Sequence, residues 1–179
     1  MLIPLAEGFE EIEAVTIIDI LRRAGAQVVT AGLYKRNVMG SHGIPVIADS
    51  VLEEEKIKNW DMIVLPGGLP GASNLAVHED VLTLVRDIDG KGKIVAAICA
   101  APVVLEKAGV ISGKKVTVHP NSSKEILSGD CRKARVIKDG NILTGQACGS
   151  AMEFALELVK VLFGTEKVLE INKNLFPQN

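Results

Sequence analysis

The chain has 179 residues, of which 47 % are apolar and 23 % are charged, a composition that excludes a disordered protein. The net charge is −2 and Lys and Arg form no long basic block, so no nucleic-acid-binding surface is predicted. The longest uncharged apolar run, residues 94–105, is shorter than the roughly 20 residues that span a bilayer, and no signal peptide is recognisable.

The first half of the chain alternates short apolar strands with helices. Residues 10–24 have an acidic first turn and a basic last turn, as suits the helix dipole, and Gly25 provides a C-terminal stop. Residues 33–58 are irregular apart from a short edge strand that contains Pro45. In chain order we predict a strand at 1–6, a helix at 10–24, strands at 27–32, 44–48 and 61–65, and a helix at 79–89.

The second half continues this alternation. Asp139-Gly140 predicts a tight hairpin, and Ser150 and Glu153 have the spacing of a capping box. In chain order we predict a strand at 94–98, a helix at 101–108, a strand at 115–118, a helix at 123–128, strands at 135–138 and 141–144, and helices at 150–163 and 165–173. The pattern predicts one α/β domain over residues 1–179, with helices on both faces of a mainly parallel sheet.

The three cysteines are Cys99, Cys131 and Cys148, an odd number without a CxxC pair. A disulfide framework is therefore not expected, and the sequence favours a cytoplasmic protein with reduced thiols. The cysteines and the three histidines have no metal-ligand spacing, so neither a metal nor a cofactor is expected.

Reactive side chains follow several of the predicted strands. In an open α/β sheet, ligands bind beyond the carboxyl ends of the strands. The chain places a thiol, an imidazole, carboxylates and glycine turns there, namely Cys99, His119, Glu7, Glu10, Glu11, Glu13, Gly67, Gly68 and Cys148. We therefore expect an active or binding site at this edge of the sheet.

Cys99 lies between a buried strand and a helix, with alanines on both sides. Small neighbours permit a tight strand-to-helix turn that presents the side chain, and a helix N-terminus favours the thiolate. The alternative is an inert core cysteine. His119 could act as a general acid or base for the thiol, or be a structural histidine. Pro120 and Asn121 follow it, so a complete hydrolytic triad is not predicted.

Two further groups have alternative interpretations. Gly67 and Gly68 could offer N–H groups to an oxyanion, or simply form a tight turn. Glu10, Glu11 and Glu13 suit the start of a helix whether or not they take part in chemistry. The pattern of residues does not distinguish among the three glutamates.

Six segments that run almost end to end resemble the DJ-1/ThiJ/PfpI superfamily, specifically its DJ-1/ThiJ branch. They are AEGFEEIEAV (6–15), LRRAGAQV (21–28), VLPGGLPGASNL (64–75), AAICAAPVVL (96–105), KKVTVHP (114–120) and EFAL (153–156). The resemblance implies a flavodoxin-like three-layer α/β/α sandwich and a homodimer. It also implies site residues: Cys99 matches the nucleophilic, oxidation-prone cysteine, Glu13 the acid that hydrogen-bonds it, His119 the nearby histidine, and the Gly68 and Ala100 N–H groups the anion-binding pocket.

The sequence departs from the pattern of this superfamily at two positions. His42 lies in a segment where related sequences often have Arg, and Cys148 replaces a residue that is often proline. In the superfamily this second loop lies near the partner's active site, so Cys148 is expected to approach Cys99 across a dimer. His42, Arg23 and Cys148 are the further residues that we expect at the pocket.

The resemblance implies a glutathione-independent glyoxalase or a deglycase, in which the Cys99 thiolate acts on a small aldehyde. The alternative is an oxidative-stress sensor or chaperone that works through oxidation of Cys99. A third possibility is an intracellular cysteine protease, but that branch typically has His directly after the nucleophile, where this chain has Ala100. No nucleic-acid or membrane partner is expected.

Overall fold

A computed structural model describes residues 1–175 and Pro177. Its strands are β1 (Leu2–Leu5), β2 (Val29–Gly32), β3 (Asn37–Met39), β4 (Pro45–Ile47), β5 (Ser50–Val51), β6 (Met62–Leu65), β7 (Ile94–Ile98), β8 (Lys115–Val116), β9 (Asp130–Cys131), β10 (Val136–Asp139) and β11 (Ile142–Gly145). Its α-helices are α1 (Glu11–Arg23), α2 (Leu52–Glu55), α3 (Gly71–Ala76), α4 (Glu79–Gly90), α5 (Pro102–Ala108), α6 (Ala151–Phe163) and α7 (Thr165–Leu175).

Within the described residues, seven strands form the central sheet in the order β10-β11-β7-β6-β1-β2-β5. Every neighbouring pair is parallel except β10 and β11, which form the antiparallel hairpin predicted around Asp139-Gly140. The predicted mainly parallel α/β sandwich is confirmed. Among the described residues, no helix is both long and apolar enough to cross a membrane.

Both faces of the sheet are covered by helices, which is why the central strands are continuously apolar. Val95 and Ala97 of β7 face one core, which also contains side chains of α3, α4 and α5. Ala96 and Ile98 face the other core, together with side chains of α1, α6 and α7. This alternation buries β7 from Val95 to Ile98, the residue that precedes Cys99.

The irregular segment 33–58 is more structured than its sequence predicts. Strands β3 and β4 form a separate antiparallel hairpin, so the predicted strand around Pro45 does not join the central sheet. Strand β5 pairs with β2 at the sheet edge. Helix α3 was not predicted, because it begins directly after a Pro- and Gly-rich turn that is typical of a loop.

Two other local predictions are wrong. The short helix expected at 123–128 is a 3-10 turn at Pro120–Glu125. The capping box of α6 does not form, because the Ser150 hydroxyl donates to the Ala147 carbonyl, 2.8 Å away, while Glu153 pairs with Arg135. Ser150 thus bonds to the turn before α6, and Glu153 pairs with a residue of the preceding hairpin region, so neither side chain caps the helix.

Candidate active site

Cys99 occupies a sharp turn between β7 and the start of α5. Its φ is +62°, and it is the one non-glycine residue with positive φ within the described part of the chain. Such a conformation costs about 1–3 kcal/mol and persists only where surrounding structure imposes it. Here the Cys99 N–H donates to the Gly145 carbonyl (2.9 Å), and the Cys99 carbonyl accepts from the His119 N–H (2.7 Å). These bonds tie the turn to β11 and to the segment after β8.

The Cys99 side chain is partly exposed in a pocket of about 370 Å³. The pocket lies at the carboxyl ends of β1, β6 and β7, as predicted. It is lined by Glu10, Ser41, His42, Gly68, Leu69, Cys99, Ala100, His119, Asn121 and Ser122. A larger groove of about 510 Å³ lies beside α6 and α7, and the described residues that line it include no cysteine or histidine. The smaller pocket is therefore the better candidate for chemistry.

Glu13 is fully buried behind the thiol. Its Oε2 accepts a hydrogen bond from the Gly67 N–H at 2.8 Å, whereas Oε1 has no nitrogen or oxygen donor among the described residues. Burial raises the pKa of Glu13 to about 7, and hydrogen bonds with Cys99 and Gly67 oppose this shift. Glu13 is thus a carboxyl group that can hold a proton near neutral pH.

The sequence predicts that a helix N-terminus favours the Cys99 thiolate, but other effects outweigh it. Burial, followed by the charge of Glu13 and the hydrogen bond with Glu13, raises the pKa of Cys99 to about 12. The Gly68 and Ala100 N–H groups, which bond to the sulfur, oppose the shift. Protonation of Glu13 removes the negative charge beside the thiol and makes ionisation of Cys99 easier, so the two groups titrate as a pair.

His119 reaches the pocket by a different route from the one predicted. Strand β8 ends at Val116 and pairs with β9 outside the central sheet, so His119 does not follow a strand adjacent to β7. Its backbone bond to Cys99 brings it to the pocket. The His119 Nδ1 lies 3.3 Å from the Asn121 N–H, from which it accepts. A neutral His119 therefore carries its proton on Nε2.

Gly67 and Gly68 pack against the residues around the thiol. A Cβ atom on Gly67 would lie 2.7 Å from the Cys99 Cβ and 2.8 Å from the Glu13 Oε2. Gly68 has a φ of +90°. The absence of side chains lets this turn approach the thiol, and it directs the Gly68 N–H toward the sulfur.

His42 lies at the rim of the pocket, as expected, and is held there by Glu11. The buried Glu11 carboxylate accepts hydrogen bonds from the His42 backbone N–H (2.7 Å) and from the Ile44 N–H (3.3 Å), and its Oε2 lies 3.0 Å from the His42 Nδ1. Burial would raise the pKa of Glu11, but these bonds hold it at about 2. The hydrogen bond with Glu11 raises the pKa of His42. The sequence did not predict this contact, because Glu11 and His42 lie 31 residues apart in the chain.

The same cluster is the candidate metal site of the described residues. Ligand atoms of Glu10, Glu11 and His42 lie within 4.8 Å of one another. The hydrogen bonds from His42 and Ile44 already satisfy the Glu11 carboxylate. These hydrogen bonds explain why the Glu11 and His42 side chains lie together without a bound ion.

Two expected pocket residues do not line the pocket. Arg23 ends α1, about 18 Å along the helix from Glu11, and its guanidinium pairs with Asp19 at 2.8 Å. Arg23 therefore forms its ion pair at the C-terminal end of α1, whereas the pocket lies at the N-terminal end. Cys148 is exposed in a 3-10 turn after β11 and is not among the lining residues. The homodimer, and the approach of Cys148 to the partner's Cys99, stay predictions.

Comparison with known proteins points to one family. The model of the DJ-1/PfpI family matches residues 1–161. Protein DJ-1 homolog A of Arabidopsis thaliana is 42 % identical over 97 % of this chain, which spans only 45 % of that relative's length. The glutathione-independent glyoxalase DJR-1.2 of Caenorhabditis elegans is 34 % identical over 94 % of this chain and 91 % of its own length. The crystal structure of Drosophila melanogaster DJ-1beta superimposes with a TM-score of 0.95 at 39 % identity, covering 99 % of this chain and 97 % of that chain. The chain therefore belongs to the DJ-1/PfpI family.

Proposed function

We propose that the protein converts small 2-oxoaldehydes, such as methylglyoxal, to 2-hydroxy acids without glutathione, with Cys99 as nucleophile. The observation that carries this proposal is the position of the thiol, between a buried carboxyl group with a pKa of about 7 and two backbone N–H groups, inside an open pocket. The relative named as a glutathione-independent glyoxalase supports it.

The first step joins the substrate to the enzyme. The Cys99 Sγ attacks the aldehyde carbon and forms a C–S bond, while its proton passes through Glu13 to the aldehyde oxygen. The product is a neutral hemithioacetal, and Glu13 is left ionised. The Gly68 and Ala100 N–H groups stabilise the negative charge that develops on the oxygen during the attack.

The second step moves a hydrogen between two carbons. Glu13 removes the C1 hydrogen as a proton while the His119 Nε2–H protonates the C2 oxygen, which gives an enediol. Glu13 then protonates C2 and His119 recovers its proton from the C1 hydroxyl, leaving a 2-hydroxy thioester. Water hydrolyses this thioester and returns a proton to the sulfur, so the net reaction is an internal redox isomerisation plus addition of water.

Replacing Cys99 with Ser is expected to reduce lactate formation from methylglyoxal at least about a thousandfold, because the hydroxyl is a much weaker nucleophile. Cys131→Ser is the matched control, since Cys131 is exposed and does not line the pocket. It should retain wild-type turnover measured by chiral detection of lactate. Equal turnover by wild type and Cys99→Ser would contradict the proposal.

Oxidation sensing is the second candidate function. The Gly68 and Ala100 N–H groups at the sulfur would also stabilise an anionic oxidised cysteine. If wild type forms no lactate, graded peroxide followed by peptide mass spectrometry distinguishes this function. A sensor requires Cys99 to oxidise before the more exposed Cys131 and Cys148; simultaneous oxidation of all three would exclude it.

The role of His119 is tested by its two amide substitutions. Gln places its amide donor near the position of Nε2, whereas Asn places its amide near Nδ1. Because His119 acts through Nε2–H, His119→Asn should lower kcat about 100-fold, and His119→Gln should retain most of it. Equal losses in steady-state turnover of methylglyoxal would show that the donor position is irrelevant.

A further inference from the structure

We propose that an apolar groove continuing from the Cys99 pocket binds the substituent of the substrate, so that 2-oxoaldehydes with an aromatic or branched aliphatic group react faster than methylglyoxal. This inference rests on the proposed function and adds a substrate class to it. Its evidence is the shape and lining of a second cavity.

The groove has a volume of about 140 Å³ and runs between α3, α5 and the 3-10 turn after His119. Leu69, Ala100 and Ser122 line both this groove and the Cys99 pocket. Ala100 directly follows the nucleophile. A substrate joined to Sγ therefore has the groove beside it, while its reacting carbons stay between Glu13 and His119.

The lining favours an apolar group over a polar one. The walls are Ala72, Ala76, Val77 and Val103, and the small alanines leave the space open. Leu69 and Val77 are 62 % and 78 % exposed, so a ligand substituent would remove their apolar surface from water.

The charges that line the groove do not favour an ionic ligand. Lys107 and Glu125 carry opposite charges and are both exposed. Within the described residues, the lining includes no further charged side chain. A phosphate or a carboxylate would therefore find no net positive potential here. A three-carbon substrate would leave the groove empty, whereas a phenyl or isobutyl group would extend into it.

The groove is tested by replacing Ser73, which lines it and is exposed. A larger side chain at this position fills the groove without entering the core. Ser73→Phe is compared with Thr83→Phe, an exposed position on the neighbouring helix α4. The first readout is the ratio of kcat/KM for phenylglyoxal and methylglyoxal. Wild type and Thr83→Phe should prefer phenylglyoxal about tenfold, and Ser73→Phe should lose this preference while retaining turnover of methylglyoxal.

The second readout does not require turnover. Intact mass spectrometry follows alkylation of Cys99 by N-benzyliodoacetamide and by iodoacetamide. The benzyl reagent should react faster with wild type and with Thr83→Phe, relative to a free thiol, but not with Ser73→Phe. Absence of a benzyl preference in wild type, or its persistence in Ser73→Phe, would overturn the groove proposal. If no oxoaldehyde is turned over but the benzyl preference behaves as stated, the proposed function fails and the groove assignment stands.

Discussion

Replacing Glu13 with Gln is expected to stabilise the protein by about 3 kcal/mol at pH 8–9 and to change its stability little near pH 4. The pKa of Glu13 rises from 4.5 to about 7 on folding because the carboxyl group is buried, and each pKa unit corresponds to about 1.4 kcal/mol. Gln retains an oxygen that accepts from the Gly67 N–H and carries no charge to bury.

The direction of this pH dependence follows from the number of protons that the folded and unfolded states bind. Between pH 4.5 and 7 the folded state holds a proton on Glu13 that the unfolded state releases, so the stability of the wild type falls as pH rises through this window. Below pH 4.5 Glu13 is neutral in both states, and Gln resembles it. Above pH 7 the wild type must bury an ionised carboxylate, and the variant does not.

Urea unfolding at several pH values from 4 to 9 measures this difference. Glu11→Gln is the matched control in the same helical turn, with the opposite expected sign. The pKa of Glu11 is lowered to about 2 in the folded state, so its ionised form stabilises the protein above pH 4.5, and its removal should destabilise the protein at pH 7. A Glu13→Gln variant that is less stable than wild type at pH 9 would show that the carboxylate has an undetected partner.

Replacing Gly68 with Ala is expected to cost about 3–5 kcal/mol and to lower Tm by about 10 °C. Gly68 has a φ of +90°, and a Cβ there would lie 2.3 Å from the Glu10 N and 2.5 Å from the Gly8 carbonyl oxygen. These contacts are with backbone atoms, which cannot rotate away. Relief requires the turn to move, which also displaces the N–H group at the Cys99 sulfur.

Gly90→Ala is the matched control for thermal unfolding. Gly90 ends α4 and its φ is not positive, and a Cβ added there would meet no atom of another described part of the chain within 4 Å. Its replacement should leave Tm unchanged or raise it slightly, because alanine reduces the entropy of the unfolded chain. A Gly68→Ala variant with the Tm of Gly90→Ala would show that the turn is not rigid.

Local sequence patterns predicted the secondary-structure elements that are specified by residues close together in the chain. The apolar run before Cys99 predicted β7 because both faces of that strand are buried, and Asp139-Gly140 predicted its hairpin because the turn needs residues that tolerate positive φ. The resemblance to a known superfamily, rather than any periodicity, distinguished Glu13 from its two neighbours. The position of Glu13 beneath the thiol depends on the packing of α1 against the sheet.

Features that depend on distant partners were not predictable in this way. The Glu11 contact with His42 joins a helix to a loop 31 residues away, and neither segment carries a local sign of the other. His119 followed an apolar run that resembles a strand of the central sheet, yet that run pairs elsewhere. Arg23 lies in a matching motif, but position in a motif does not specify which end of a helix faces a pocket.

The left-handed backbone at Cys99 links the stability of this protein to its chemistry. Glycine would adopt a φ of +62° without steric cost, so the fold alone would favour glycine at this position. The hydrogen bonds to Gly145 and His119 impose the conformation on cysteine instead. Because they involve only backbone atoms, they hold Sγ toward the pocket before any substrate arrives. The left-handed conformation of Cys99 therefore destabilises the fold by about 1–3 kcal/mol, and it places the nucleophile where it reacts without rearrangement.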